Sequence, residues 1–201
     1  GVNVREGEFL IAVDGVDARS VANPWALLEN KADKLVELTV NGRASADGAR
    51  TVRVKTIANE QNLRYLEWVA QRRAIVDRLS GGRIGYVHLP NTAQDGNREL
   101  NKWLAPLAHK DALIIDDRWN GGGFIPDRMI ELLARTPLNY WKRRGLEPQP
   151  TPGILHAGPK AMLINGLSSS GGDALPYYFR KLKLGKIIGT RTWGGLIGIS
   201  G

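Results

Sequence analysis

The spacing of apolar residues divides the chain into two differently patterned parts. In the first part, Glu8 to Val13 is apolar at nearly every position, while Val36 to Val40 and Thr51 to Lys55 alternate as strands with one buried face do. Pro24 to Leu28 begins a short helix. Residues 1–56 are therefore predicted to form a small, mostly β domain with one helix.

A long helix and an alternating pattern follow. The helix is predicted within residues 57–80, where apolar residues recur at helical spacing at Leu63, Leu66, Val69, Val76 and Leu79. Residues 81–201 then alternate buried strands with amphipathic helices. The strands are Ile84 to Leu89, Ala112 to Ile115, Ala161 to Ile164 and Lys186 to Gly189, and the later helices Ile125 to Leu133 and Ala174 to Leu184. This pattern predicts an α/β domain with crossover connections, and α+β character overall.

The amino-acid composition excludes several kinds of functional site. The chain has 201 residues and no cysteine, which excludes disulfides, thiolate catalysis and cysteine-based zinc sites. No apolar run approaches the roughly 20 residues of a membrane span. The net charge of +8 comes from dispersed basic residues, which favours a solvated surface over a nucleic-acid site. We expect no metal, no cofactor, no membrane and no nucleic-acid partner.

Two glycine-rich turns carry the candidate chemistry. Asn120 to Gly123 and Ser168 to Asp173 each follow a buried strand, so we expect them to be neighbours at one edge of the sheet. Glycines let backbone N–H groups converge on one point, which suits an oxyanion, and Ser170 precedes a helix whose dipole favours negative charge. Taken singly, such turns are more often plain connections.

Several side chains near these turns have two interpretations. Asp173 is expected to cap the following helix, and Asp116 and Asp117 to be turn residues, because neighbours on an extended chain point to opposite faces. His88 is either a general base or a packing or substrate-lining residue. Trp193 either lines a peptide groove or packs in the core.

The amino-acid sequences of the two turns, and their order along the chain, resemble those of the tricorn protease family. Members of this family are serine peptidases related to the carboxy-terminal processing proteases. Glu8 to Gly15 is similar to a PDZ strand and turn, and Gly82 to Pro90 to the entry into the catalytic core. The most specific matches are Leu113 to Gly123, Ser170 to Asp173 and Gly189 to Gly195. The resemblance implies a PDZ-like domain, lacking its first strand, over 1–56, a linking helix over 57–80 and a crotonase/ClpP-like core, incomplete at its end, over 81–201.

The resemblance also implies roles for residues. Ser170 becomes the nucleophile, the N–H of Gly171 one oxyanion donor, and an N–H among Gly121 to Gly123, with Gly122 and Gly123 preferred, the other. The processing proteases activate their serine with a lysine about 25 residues later; here that position is Gly195. The tricorn pattern instead uses a histidine ahead of the PDZ domain, so the base is expected outside this chain.

The expected function is hydrolysis of peptides or unfolded chains through a serine acyl-enzyme. The intact protein is expected to be cytoplasmic and a homo-oligomer, and the isolated chain inactive or very weakly active. A non-catalytic, PDZ-like peptide-binding or assembly module is the main alternative. Phosphate or nucleotide binding is a weaker one, because neither turn matches a phosphate-binding motif.

Overall fold

The computed structural model of the protein describes residues 2–196, which divide after Tyr65 into two compact units. The first unit holds a four-stranded antiparallel sheet in the order β2-β1-β3-β4. Its strands are β1 (Phe9–Val13), β2 (Val16–Asp17), β3 (Leu35–Asn41) and β4 (Arg50–Lys55). The predicted helix at Pro24–Leu28 is present as a 3-10 helix, started by the Asn23 side chain, which accepts the N–H of Trp25.

Helix α1 (Gln61–Ser80) begins before the division and continues into the second unit. The helix is where its apolar spacing predicts it, but the stripe is not a buried face. Val69 is its one buried residue, whereas Leu63, Leu66 and Leu79 are more than half exposed. Spacing therefore predicted the backbone conformation and not the burial.

The second unit is built on a four-stranded parallel sheet in the order β10-β9-β6-β5. The strands are β5 (Ile84–His88), β6 (Ala112–Asp116), β9 (Lys160–Ile164) and β10 (Gly185–Gly189), and the helices between them α2 (Gln94–Leu104), α3 (Pro126–Ala134) and α4 (Gly171–Lys181). Apolar side chains of the strands and helices form one core that includes Leu100, Ile115, Met129, Met162 and Leu175. The predicted α/β architecture is confirmed.

A short antiparallel hairpin interrupts the alternation between α3 and β9. Its strands are β7 (Asn139–Trp141) and β8 (Gln149–Thr151), and most of their side chains are exposed. The sequence pattern did not predict this hairpin, because three-residue strands without a buried face leave no apolar alternation. Among the described residues, no helix is long and apolar enough to cross a membrane.

Truncation of Ile115 tests the position of the core. Ile115 lies on β6, one of the two inner strands of the parallel sheet, and is fully buried. Ile115→Ala is therefore expected to lower the free energy of unfolding by about 2–5 kcal/mol. Ile188 on the edge strand β10 is 53% exposed, and Ile188→Ala is the matched control, with an expected loss of about 1 kcal/mol. Urea unfolding followed by circular dichroism measures both. Equal losses would contradict the placement of the core.

Candidate active site

The two glycine-rich turns meet at the carboxyl ends of β6 and β9, as the sequence predicted. The N–H of Ser169 donates to the carbonyl oxygen of Asn120 at 3.0 Å. A side chain at Gly172 has no room, because a Cβ there would lie 2.8 Å from that same oxygen. Because β6 and β9 are parallel neighbours, their carboxyl ends lie at the same edge of the sheet, and the loops that follow them pack side by side.

Ser170 occupies a backbone conformation that L-residues rarely adopt. Its φ is 55° and its ψ is −115°, and the N–H of Gly172 donates to the carbonyl of Ser169 at 2.8 Å. These values describe a type II′ turn with Ser170 at the position that glycine usually takes. The turn directs Ser170 outward at the start of α4, where its side chain is exposed and, among the described residues, its hydroxyl makes no hydrogen bond.

Ser168 differs from Ser170 in its surroundings. It is fully buried, and its hydroxyl donates to the carbonyl oxygen of Asp117 at 2.8 Å. This serine therefore holds its turn against the end of β6. The hydroxyl available to solvent at the helix start is that of Ser170.

The glycines of the site are required by close backbone approach. A Cβ at Gly122 would lie 2.8 Å from the Cβ of Ser170, and one at Gly171 would clash with the hydroxyl of Thr92 and the backbone of Gly123. Thr92 is buried; its N–H donates to the Gly122 carbonyl at 2.9 Å and its hydroxyl to the Gly123 carbonyl at 3.2 Å. Sequence reasoning missed Thr92, because no motif marks it.

The N–H groups of the glycine loop have different partners. The N–H of Gly121 donates to the carbonyl of Pro90 at 3.0 Å, and that of Gly122 to the side-chain oxygen of Asn120 at 2.9 Å. Within residues 2–196, the N–H groups of Gly123 and Gly171 have no hydrogen-bond acceptor. Two backbone donors thus stay available close to Ser170.

The expected capping role of Asp173 is wrong. Ser170 is the cap residue of α4, and Asp173 lies three residues further on, where its Oδ1 accepts the N–H of Gly194 at 2.7 Å. The N–H of Trp193 donates to the carbonyl of Ser168 at 2.9 Å. The segment that follows β10 is therefore held along the turn of residues 168–173 by two hydrogen bonds.

Trp193 lies beside this turn with 63% of its surface exposed. Together with Gly166, Leu167 and Ser169 it lines an open pocket of about 280 Å³. Leu167 is also exposed, so the pocket offers two apolar surfaces next to the residue that precedes Ser170.

His88 is in the interior, at the end of β5. It is 4% exposed, its Nε2 lies 2.9 Å from the carbonyl oxygen of Arg118, and its ring packs edge-on against Trp68. Burial lowers the pKa of its imidazole. This environment suits the packing interpretation; the substrate-lining role stays a prediction.

Asp116 and Asp117 are both buried but have different hydrogen-bond and ion-pair partners. Asp116 is paired with Arg118 at 2.6 Å and accepts the hydroxyl of Tyr86 at 2.7 Å. Asp117 accepts the side-chain amide of Asn120 at 2.9 Å, and its Oδ2 has no partner within the described residues. Burial, with the charges of Asp116 and Asp173, raises the pKa of Asp117 well above its usual range.

Comparison with known proteins identifies the family to which this α/β chain belongs. The model of peptidase family S41 matches residues 83–201, and that of the tricorn protease PDZ domain matches residues 1–59. The chain belongs to peptidase family S41.

Individual relatives are of the tricorn type. The chain is 38% identical to a putative tricorn protease homolog 2 of Streptomyces coelicolor, over 100% of this chain and 17% of that protein. It is 35% identical to the tricorn protease of Thermoplasma volcanium, over 96% of this chain and 19% of that protein. A crystal structure of the tricorn protease superimposes with a TM-score of 0.88 at 32% identity, covering 96% of this chain and 19% of that one. The chain thus spans about a fifth of the length of these relatives.

Substitution of Ser170 by glycine tests the strained turn. Glycine adopts a positive φ without a steric penalty, so Ser170→Gly is expected to raise the free energy of unfolding by about 1 kcal/mol. Ser170→Ala keeps the Cβ and therefore the strain, and should change stability by less than about 0.5 kcal/mol. Urea denaturation compares the two, and equal stability of both variants would contradict the strained conformation.

Replacement of Asp117 by asparagine tests the raised pKa. A carboxyl group whose folded pKa is raised stabilises the fold below its unfolded pKa of about 3.8 and loses that contribution as pH rises. The stability of Asp117→Asn relative to the unaltered protein should therefore increase from pH 4 to pH 7, by up to about 1.4 kcal/mol per pH unit. Thermal or urea unfolding at both pH values measures it, and a difference independent of pH would exclude the shift.

Proposed function

We propose that this chain supplies the nucleophile and oxyanion hole of a serine peptidase that hydrolyses peptides or unfolded chains through an acyl-enzyme. One observation carries the proposal. The exposed hydroxyl of Ser170 stands in a strained turn against a glycine loop, and the N–H groups of Gly171 and Gly123 next to it have no acceptor among residues 2–196. Family membership supports the same chemistry.

The partners of the loop N–H groups favour Gly123 as the second oxyanion donor. Gly121 and Gly122 already donate within the protein, so neither N–H is available without breaking a hydrogen bond. We assign Gly171 and Gly123 to the oxyanion, and to Gly122 the part of letting the loop approach Ser170. Backbone donors fixed in advance cost no reorganisation when charge develops on the carbonyl oxygen.

The reaction follows from this arrangement. The oxygen of Ser170 attacks the scissile carbonyl carbon, its proton passes to a general base, and the carbonyl oxygen becomes an oxyanion held by the two N–H groups. The tetrahedral centre collapses, the carbon–nitrogen bond breaks, and the amine leaves with a proton. Water then hydrolyses the acyl-enzyme ester and regenerates the Ser170 hydroxyl.

The general base is not found among the described residues. No side chain within residues 2–196 makes a hydrogen bond to the hydroxyl of Ser170, and His88 is bonded to the Arg118 carbonyl in the interior. A histidine beyond this chain, as the tricorn pattern implies, stays a prediction, as do homo-oligomer formation and a cytoplasmic location of the intact protein.

Trp193 is our candidate for contacts with substrate. Its exposed ring and Leu167 form a pocket beside Ser169, adjacent to the nucleophile, and two backbone hydrogen bonds fasten its segment there. The non-catalytic alternative gives no reason for an exposed serine in a costly conformation between two unpaired N–H groups. Strain of this kind persists where the surrounding structure enforces it.

The nucleophile is tested in the full-length protein with a fluorogenic peptide. Ser170→Ala is expected to lower kcat by at least about 10³-fold, because no other group replaces the attacking oxygen. Ser20→Ala is the control, since Ser20 is an exposed serine of the first unit that lines no part of the candidate site, and it should retain kcat within about threefold. Full activity in Ser170→Ala would contradict the proposal.

The isolated 201-residue chain is expected to hydrolyse the same peptide very weakly or not at all, for want of a base. A clear rate in this chain that Ser170→Ala abolishes would show that the base lies within it. The assignment of Ser170 would then stand, and the prediction about the base would be wrong.

A further inference from the structure

Asn120 is the residue through which the two turns are bonded to each other. It is fully buried between β6 and the glycine loop, and both its backbone and its side chain make hydrogen bonds. Its carbonyl accepts the N–H of Ser169 at 3.0 Å, and its side-chain oxygen accepts the N–H of Gly122 at 2.9 Å. Its side-chain amide donates to Asp117 Oδ1 at 2.9 Å. We infer that Asn120 is a positioning residue that selects which glycine N–H faces the oxyanion.

The bond from Gly122 to Asn120 decides the orientation of the loop. A glycine peptide is free to rotate its N–H toward either side, and Gly122 has φ 85° while Gly123 has φ 144°. The Asn120 side-chain oxygen holds the Gly122 N–H away from the site. The next N–H, that of Gly123, is then the one left without an acceptor beside Gly171.

The Gly122 N–H fixes the orientation of the Asn120 side chain. A carboxamide has a donor end and an acceptor end, and a backbone N–H, which only donates, can pair only with the acceptor end. The oxygen end therefore points to the Gly122 N–H, and the donor end meets Asp117 Oδ1. Reversal of the carboxamide would place two donors together at Gly122, inside a buried site where such a mismatch is costly.

This positioning does not depend on any contact between Asn120 and substrate. Asn120 has no exposed surface, and its side-chain polar groups form hydrogen bonds within the protein. Asn120 would act through the Gly123 N–H. Loss of the Asn120 side chain should therefore weaken the stabilisation of the oxyanion and leave the affinity for substrate nearly unchanged. The kinetic part of this inference rests on the proposed function, whereas the structural part does not.

The structural part is tested by amide hydrogen exchange in this chain, followed by NMR. In Asn120→Ala the Gly122 N–H loses its acceptor and is expected to exchange at least about tenfold faster. Asn101→Ala is the control; it removes a carboxamide of the same unit that bonds only within α2, and Gly122 exchange should stay within about threefold. Unchanged exchange in Asn120→Ala would overturn the inference.

Asn120→Asp keeps the test open should the alanine variant fail to fold. Aspartate retains an oxygen acceptor for the Gly122 N–H but loses the donor to Asp117. The Gly122 amide should therefore remain protected to within about threefold in this variant. Loss of protection in folded Asn120→Asp would contradict the role given to the side-chain oxygen.

The kinetic part is tested in the full-length protein with a fluorogenic peptide, per active site. Asn120→Ala is expected to lower kcat about 10²-fold and to leave KM within about threefold, the pattern of a lost oxyanion donor. A merely structural role would lower the fraction of folded protein and leave kcat per active site unchanged, which would overturn the inference. If Ser170→Ala itself stayed active, the proposed function would fail, while the exchange result would still decide the structural part.

Discussion

The site depends on the contact of two backbone turns at the carboxyl edge of a parallel sheet. β6 and β9 pair directly, so the loops that follow them are in contact. Their backbones approach so closely that side chains at Gly122, Gly171 or Gly172 would clash. This closeness fixes the strained conformation of Ser170 and the arrangement of unpaired N–H groups around it. The core below, with Ile115 and Met162 fully buried, supplies the rigid base that such strain requires.

Charged groups beneath the turns hold the loops in place. The Asp116 carboxylate is satisfied by Arg118 and Tyr86, and Asp173 holds the backbone after β10 through Gly194. Burial, with the charges of Asp116 and Asp173, raises the pKa of the Asp117 carboxyl group well above its usual range. The acidic residues of the site thus act on the backbone, which is a different task from the acid–base chemistry that adjacent aspartates suggest.

Much of this could be predicted from sequence because the signals were local. Apolar patterning predicted every strand of the parallel sheet and all but the two-residue strand β2 of the larger antiparallel sheet. The two glycine turns were expected together from the topology alone. Burial was harder: Leu63, Leu66 and Leu79 have helical spacing on α1 yet are exposed. Periodicity reports which residues share a face and does not report what covers that face.

The hydrogen-bond partners of the site residues could be identified only from the three-dimensional structure. Asp173 is a residue type that often caps helices, but the cap residue of its helix is Ser170, three residues earlier, and the Asp173 carboxylate accepts the N–H of Gly194. The three consecutive glycines are equivalent in sequence, and the acceptors at Pro90 and Asn120 leave Gly123 as the one whose N–H stays available. Those acceptors depend on tertiary packing, so no local pattern could have identified them.

The geometry of the proposed oxyanion hole can be measured in a crystal structure of the full-length protein with a peptide aldehyde. We expect a covalent bond from Ser170 Oγ to the aldehyde carbon. The adduct oxygen should lie about 2.7–3.1 Å from the N–H nitrogens of both Gly171 and Gly123, with the Gly122 N–H still bonded to Asn120. An adduct on another residue, or an oxygen bound by the Gly122 N–H in place of Gly123, would contradict it.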